Sequence, residues 1–378
     1  MKLLRTVLDV TKKMLTKHPL LGKLYPIYEA TDELFFGTDK TTGFAPHMMD
    51  AIDIKRYMSL VIVALIPAAI AGIYFYGLRV IAIILVSYTF GGITEAIFSI
   101  VRKKPIYEGF LVTGLIFPLI LPPTIPLWMV AVGVVFGVFF GKEVFGGTGR
   151  NIFNPALVGR VFLSMAFPGY FATEWQEPFI KGLGGFVAYT IDAVTSATPL
   201  ISFKSSQIVS EYVPLLFGSA PGSIGETFRI GIIVGGLFLI LIKIADWRIP
   251  IAYIGTTWIC SFIGHAFHPD VFAPPLFQIL AGGLLFGAFF MATDPVTSPL
   301  TSEGKWICGV MLGILTVLIR GISGFVEGVM FAILLMNAVT PLVDAVIVNI
   351  RYTQTGIAVQ APKVAEKRMY GRRKEDKK

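Results

Sequence analysis

The sequence predicts an all-α integral membrane protein with about ten transmembrane helices, arranged as two inverted five-helix repeats with broken helices. Composition is the first reason. Of 378 residues, 54% are hydrophobic and only 15% charged, and the mean hydropathy is +0.73. At roughly 20 apolar residues per span, that leaves room for about ten spans. The second is pattern: the apolar residues fall into ten runs separated by short polar stretches. The third is a pair of similar interruptions. Thr113-Gly114-Leu115-Ile116-Phe117 before Pro122-Pro123-Thr124 resembles Gly282-Gly283-Leu284-Leu285-Phe286 before Thr293-Asp294-Pro295, 169 positions later. Five spans per half is odd, so a second copy would lie upside down relative to the first, a transporter-like architecture.

Residues 1–56 mix nine basic with seven acidic side chains and lack the clean apolar core of a signal peptide, so they are expected to be a retained cytoplasmic segment. The first repeat, 57–170, holds runs at Tyr57–Tyr76, Val80–Val101, Phe110–Leu121, Leu127–Phe140 and Pro155–Tyr170. The only long connection, 171–226, follows. The second repeat, 227–350, holds runs at Phe228–Ile244, Ile249–Phe267, Leu276–Ala292, Trp306–Ile319 and Phe325–Val348. Residues 351–378 form a tail with nine Lys/Arg against three Asp/Glu, which carries +6 of the net +8 charge. With both termini cytoplasmic, nearly every basic turn falls inside and the 171–226 loop falls outside, as the positive-inside rule requires. The basic charge thus marks a membrane face and does not call for nucleic acid. Two cysteines and four histidines are too few for a disulfide framework or a zinc or haem centre.

The outer loop contains Asp192-Ala193-Val194-Thr195-Ser196-Ala197-Thr198-Pro199-Leu200. By itself it is a polar turn before a proline. It is also similar to Asp-x-x-Ser/Thr-Gly-Ala-Thr, the pattern at which a flavin transferase attaches FMN to a threonine hydroxyl through its phosphate. The acceptor would be Thr198, with Asp192, Thr195, Ser196 and Ala197 completing the motif. Ser196 stands where the pattern has Gly, and a left-handed turn there would cost serine about 1 kcal/mol.

Further strings extend the likeness: Glu108-Gly109-Phe110, Leu121-Pro122-Pro123-Thr124, the run from Gly141 to Leu157 (GKEVFGGTGRNIFNPAL), Pro221 to Glu226 (PGSIGE) and Met291-Ala292-Thr293-Asp294-Pro295. Over about Tyr25 to Val348 the chain resembles the B subunits of the sodium-translocating NADH:quinone oxidoreductases. The D subunits of Rnf ferredoxin:NAD oxidoreductases share the flavin motif but typically have a shorter segment before the first span. A non-redox channel or transporter is the alternative from architecture alone. The resemblance implies a subunit of a bacterial inner-membrane complex with partners A, C, D, E and F, a flavin transferase, quinone as substrate and outward sodium transport. It also implies covalent FMN at Thr198 and noncovalent riboflavin near Asn151 and Asn154, although Asn154 before Pro155 equally suits a helix cap. No dinucleotide fingerprint is present, so NADH oxidation belongs to a partner.

Glu95 lies in an apolar span one turn after Gly91-Gly92, where a carboxylate costs a few kcal/mol unless it faces a cavity or partner. The resemblance associates this helix with quinone, and packing of the glycine pair against another subunit is the alternative. Asp294, Glu327, Asp344 and Glu29 are candidate ion-path acids, since sodium takes hard oxygen ligands. Neutralising Lys305 or Arg320 is their alternative role. Lys142 and Glu143 are expected to pair with each other, and Cys260 and Cys308 to be buried apolar residues.

Overall fold

A computed structural model describes residues 12, 28, 54–103, 109–179, 184–189 and 196–354. Glu29, Asp192, Thr195 and the tail from 355 onward lie outside the described residues. Fourteen α-helices and no β-strand occur among the described residues. The first half comprises α1 (Ile54–Tyr76), α2 (Arg79–Arg102), α3 (Gly109–Leu119), α4 (Leu127–Gly141) and α5 (Pro155–Ala166). Next come α6 (Pro168–Thr173), α7 (Pro199–Ser206) and α8 (Tyr212–Phe217). The second half comprises α9 (Arg229–Leu241), α10 (Arg248–Phe267), α11 (Pro275–Leu280), α12 (Leu284–Phe286) with a π-helical turn Gly287–Met291, α13 (Ser302–Ile322) and α14 (Val329–Gln354).

Each of the ten apolar runs falls on helix, but they are not ten equal spans. By length and composition five described helices can cross a membrane, namely α1, α2, α4 with its continuation to Phe145, α13 and α14. Three more, α3, α5 and α9, are apolar but shorter. Two runs are broken. The expected span Pro155–Tyr170 divides at Phe167, where Pro168 cannot donate to the ladder and starts α6. The run Leu276–Ala292 divides at Ala281-Gly282-Gly283, where Gly282 takes φ +68°. The long connection is likewise more ordered than a loop, since it carries α7 and α8.

Polar side chains turn inward and apolar ones outward. On α2, Ser87, Thr94 and Ser99 are buried while Ile81, Leu85, Ile93 and Ile97 are exposed; on α10, Thr257 and Ser261 are buried while Ile259, Phe262 and Phe267 are exposed. Such a skin suits hydrocarbon, where hydrogen bonds and close packing rather than hydrophobicity hold helices together. Ser87 donates to Gly114 O at 2.9 Å, and the Tyr253 and Thr316 hydroxyls meet at 2.6 Å, joining α2 to α3 and α10 to α13. α4 is the inner helix, 56% of its apolar window being buried against 28% for α1. Its glycines allow this: a Cβ on Gly137 would run into Pro155 O, and one on Gly159 would lie 2.5 Å from Gly133 O, so α4 and α5 touch backbone to backbone.

The halves share a packing order. In each, the second helix packs on the third and the fourth, the fourth packs on the fifth, and the first packs on the interrupted third element. α1 and α9 also pack on each other, joining the halves.

Candidate functional site

The chain's connections gather at two ends. At one, Leu78 and Arg79 donate backbone hydrogen bonds to Ala188 and Tyr189, Arg79 reaches Thr124 O at 3.0 Å, and Lys204 Nζ reaches Arg320 O at 3.3 Å and Phe325 O at 3.2 Å. At the other, Tyr57 donates to Ile244 O at 2.6 Å and Lys305 pairs with Asp246 at 2.8 Å. Each end holds a cavity.

Thr198 lies on the larger one, about 260 Å³, walled by Phe171, Trp175, Leu200, Phe325 and Met330, with Arg160, Ser164, Glu226 and Glu327 as polar lining. Thr198 caps the N-terminus of α7, its Oγ1 accepting from Ile201 N at 3.4 Å, with extended backbone at φ −63°, ψ 156°. Attachment of FMN asks for an extended, accessible hydroxyl. The segment is extended, but Thr198 is buried and opens to the cavity, because Pro199 at the first helical position and the Lys204 contacts dock α7 on the α13–α14 connection. Ser196 N–H donates to Trp175 O at 2.9 Å.

The broken helix of the second half forms part of this wall. Its exposed carbonyls are met by guanidinium groups: Arg320 donates to Gln278 O at 2.6 Å and Ala281 O at 3.1 Å, and Arg229 donates to Leu280 O and Leu215 O. Across the gap, Gly283 N–H donates to Glu327 at 3.1 Å, and Glu327 pairs with Arg320 at 2.9 Å. Carbonyls at the end of one helix thus face positive charge, and the N–H at the start of the next faces negative charge, as the helix dipole favours. Glu327 therefore pairs with Arg320, one of the two partners considered for the acids.

The second cavity, about 50 Å³, brings together Thr113, Lys142, Asn151, Asn154 and Asp294. The sequence places these residues in three separate stretches. Asp294 accepts from Thr297 Oγ1 at 2.9 Å; Asn154 caps α5, accepting from Ala156 N at 3.1 Å; Asn151 donates to Phe153 O at 3.1 Å. Asp344 is elsewhere, holding the start of α13 by accepting from Leu300 N at 2.8 Å and Thr301 N at 3.1 Å.

Lys142 and Glu143 do not pair with each other. Lys142 is paired with Glu95, and Glu143 with Arg102 at 2.8 Å. Neighbouring residues on a helical turn project in different directions, so each finds a partner on α2 instead. Gly91 packs against α4 of its own chain, a Cβ there lying 3.2 Å from Val134. Gly92 lies beside Phe110. Cys308 is buried as expected and Cys260 is half-buried.

Sequence reasoning passed over Arg160 and Arg229 as site residues. Both are charges inside or at the edge of an apolar run, a signal that marks interior function by itself.

A helical bundle with an apolar skin, two interrupted helices and buried charge at one interruption is that of an all-α integral membrane protein. A model described as the NQR2, RnfD, RnfE family matches residues 41–353. The B subunit of the Na(+)-translocating NADH-quinone reductase of Yersinia pestis is 36% identical over 87% of this chain and 93% of its own length. The B subunit of the same reductase from Azotobacter vinelandii is 35% identical over 92% of this chain and 97% of its own length. The chain belongs to the NQR2, RnfD, RnfE family.

Proposed function

We propose that the chain is the B-type membrane subunit of a bacterial sodium-translocating NADH:quinone oxidoreductase and that it carries FMN esterified to Thr198. The observation that carries this reading is Thr198 itself: a hydroxyl at a helix N-terminus, opening into a cavity of about 260 Å³, in a chain whose relatives bear that name over nearly their whole length. The residues fit the group. The transferase would break the pyrophosphate of a flavin dinucleotide, passing the FMN phosphoryl to Thr198 Oγ1 and releasing the nucleoside monophosphate and the hydroxyl proton, and the phosphate then sits at the positive end of the eight-residue α7. Trp175, Phe171 and Phe325 offer apolar and aromatic surface suited to a flat ring system, while Arg160 offers donors and Ser164, whose hydroxyl donates to Val161 O at 2.9 Å, an acceptor. Bound flavin supplies the electron-transfer chemistry. Thr198 fixes the tether, α7 and the stapled helix break hold the wall, and the apolar lining excludes water from the site.

Further parts of the reading follow from the family resemblance. The Thr198 end faces outward and both termini are cytoplasmic, which the basic residues Arg102, Lys103, Arg150, Lys243 and Arg248 at the other end support. Cysteines introduced at Lys181 and Lys374 should label from opposite sides of the membrane, and labelling of both from one side refutes this orientation. The shared packing order supports two inverted five-helix repeats. Asp192 and Thr195 complete the transferase motif. Quinone is proposed at Gly91, Gly92 and Glu95, and the sodium path at Asp294, Glu327, Asp344 and Glu29. A cavity of about 50 Å³ is too small for a three-ring flavin, so riboflavin beside Asn151 and Asn154 requires a partner subunit to complete its pocket.

The test is complementation. Cells lacking this chain should lose sodium-stimulated quinone reduction by NADH, the wild-type chain should restore it, and Thr198→Val should restore assembly but not activity. Full activity with Thr198→Val would overturn the proposal.

A further inference from the structure

Three charged side chains line the Thr198 cavity, and they differ in how fully they are engaged. Glu327 has both oxygens occupied, one by Arg320 at 2.9 Å and one by Gly283 N–H at 3.1 Å. Glu226 accepts from Ser223 N at 2.8 Å through Oε1, but its Oε2 is buried without a partner. Arg160 is 5% exposed, its Nε is buried without a partner, and it takes part in no ion pair among the described residues. Both unsatisfied residues also line a chamber of about 10 Å³ behind the main cavity. That chamber has room for no more than a single water.

A buried guanidinium and a half-engaged buried carboxylate are each strongly unfavourable unless something meets them. The occupant they call for has an acceptor for Arg160 and a donor for Glu226, next to a flat apolar body for Trp175 and Phe325. We propose that Arg160 and Glu226 hold the pyrimidine edge of the flavin tethered to Thr198, the guanidinium donating to a ring carbonyl and Glu226 Oε2 accepting from the ring N–H. The inference rests on the Thr198 reading. The edge presents acceptor, donor, acceptor in sequence, and this pair matches two adjacent positions of it, one carbonyl and the N–H. Arg160 and Glu226 are positioning residues. Their charges also act on the ring's affinity for electrons in opposite senses, the guanidinium raising it and the carboxylate lowering it.

The experiment uses the whole complex, purified with Thr198 flavinylated, and compares Arg160→Met and Glu226→Gln with the unmodified complex. Both variants should keep the flavin mass on this chain, since Thr198 and its cap are untouched. The visible absorption of that flavin should shift in both. Its midpoint potential should fall in Arg160→Met and rise in Glu226→Gln, and Arg160→Lys, which keeps the charge, should bring the potential back toward the starting value. If Arg160→Met does not assemble, the isosteric Glu226→Gln decides alone. Flavinylated variants with unchanged spectrum and potential overturn the inference while leaving Thr198 in place. Absence of flavin from Thr198 in the unmodified complex overturns the tether and the inference together.

Discussion

The two interrupted helices occupy matching places in the two halves and are closed by different chemistry. After α3 the chain passes Pro122, Pro123 and Pro126, and the carbonyls that end the helix are taken by main chain, Gly225 N donating to Leu119 O at 2.6 Å and Ile224 N to Leu121 O at 3.1 Å, while farther along Arg79 donates to Thr124 O at 3.0 Å and Ile125 O at 2.9 Å. After α11 the carbonyls are taken by Arg229 and Arg320, and the following N–H by Glu327. A helix end closed by main chain is set by shape, and the one guanidinium at this break, the half-buried Arg79, is in no ion pair among the described residues. A break closed by guanidinium and carboxylate brings ionic groups into the interior, beside the cavity that Thr198 faces. The difference locates the demanding chemistry in the second half's break, while the first half's break acts as a fixed wall.

The largest effect should come from the charged break. Arg320→Met leaves Glu327 without its cation and the Gln278 and Ala281 carbonyls without donors, which should cost about 3–5 kcal/mol. A large fall in the thermal unfolding temperature of the detergent-solubilised complex is expected, partly recovered in Arg320→Met with Glu327→Gln. An unchanged unfolding temperature would erase the distinction between the breaks. In the main-chain break the sensitive position is Gly225, where a Cβ would lie 2.6 Å from Leu119 Cβ and 3.0 Å from its carbonyl oxygen. Gly225→Val should therefore cost about 1–3 kcal/mol through overpacking, with no change in the charge balance. Distinct in function are the acids at the opposite end: Asp294, which is in no ion pair among the described residues, and Glu95, whose loss also leaves buried Lys142 without its partner. Asp294→Asn should raise, several-fold, the sodium concentration needed for half-maximal quinone reduction, whereas Glu95→Gln should mainly raise the KM for quinone. Sodium dependence and membrane potential both unchanged in Asp294→Asn would reduce that residue to a structural cap on Thr297.

The helices were legible because apolar run length is a local property: every run fell on helix, and the interruption at Gly282-Gly283 was visible as a repeated motif before a Pro-ended stretch. What sequence could not supply is which polar residues meet. Asp294, Asn151 and Lys142 share one cavity only because π-turn, α4 and α5 converge there. Glu95 and Lys142 lie 47 positions apart, so their pairing is beyond any spacing rule, and the local pair Lys142–Glu143 looked natural in its place. Arg160 sat in an apolar run that would otherwise pass for an ordinary span. Its role depends on the kink at Phe167 and Pro168, which swings α6 away and opens the space lined by Phe171 and Trp175.

Thr198 as the covalent flavin site is tested most directly by mass. The intact chain, taken from cells that supply a flavin transferase, should be heavier than its sequence by roughly 440 Da, the increment expected for an FMN phosphoester. Peptide mapping should place the increment on the fragment containing Thr198, and Thr198→Val should remove it from a folded chain. An unmodified wild-type mass, or an increment that survives Thr198→Val, would contradict the account.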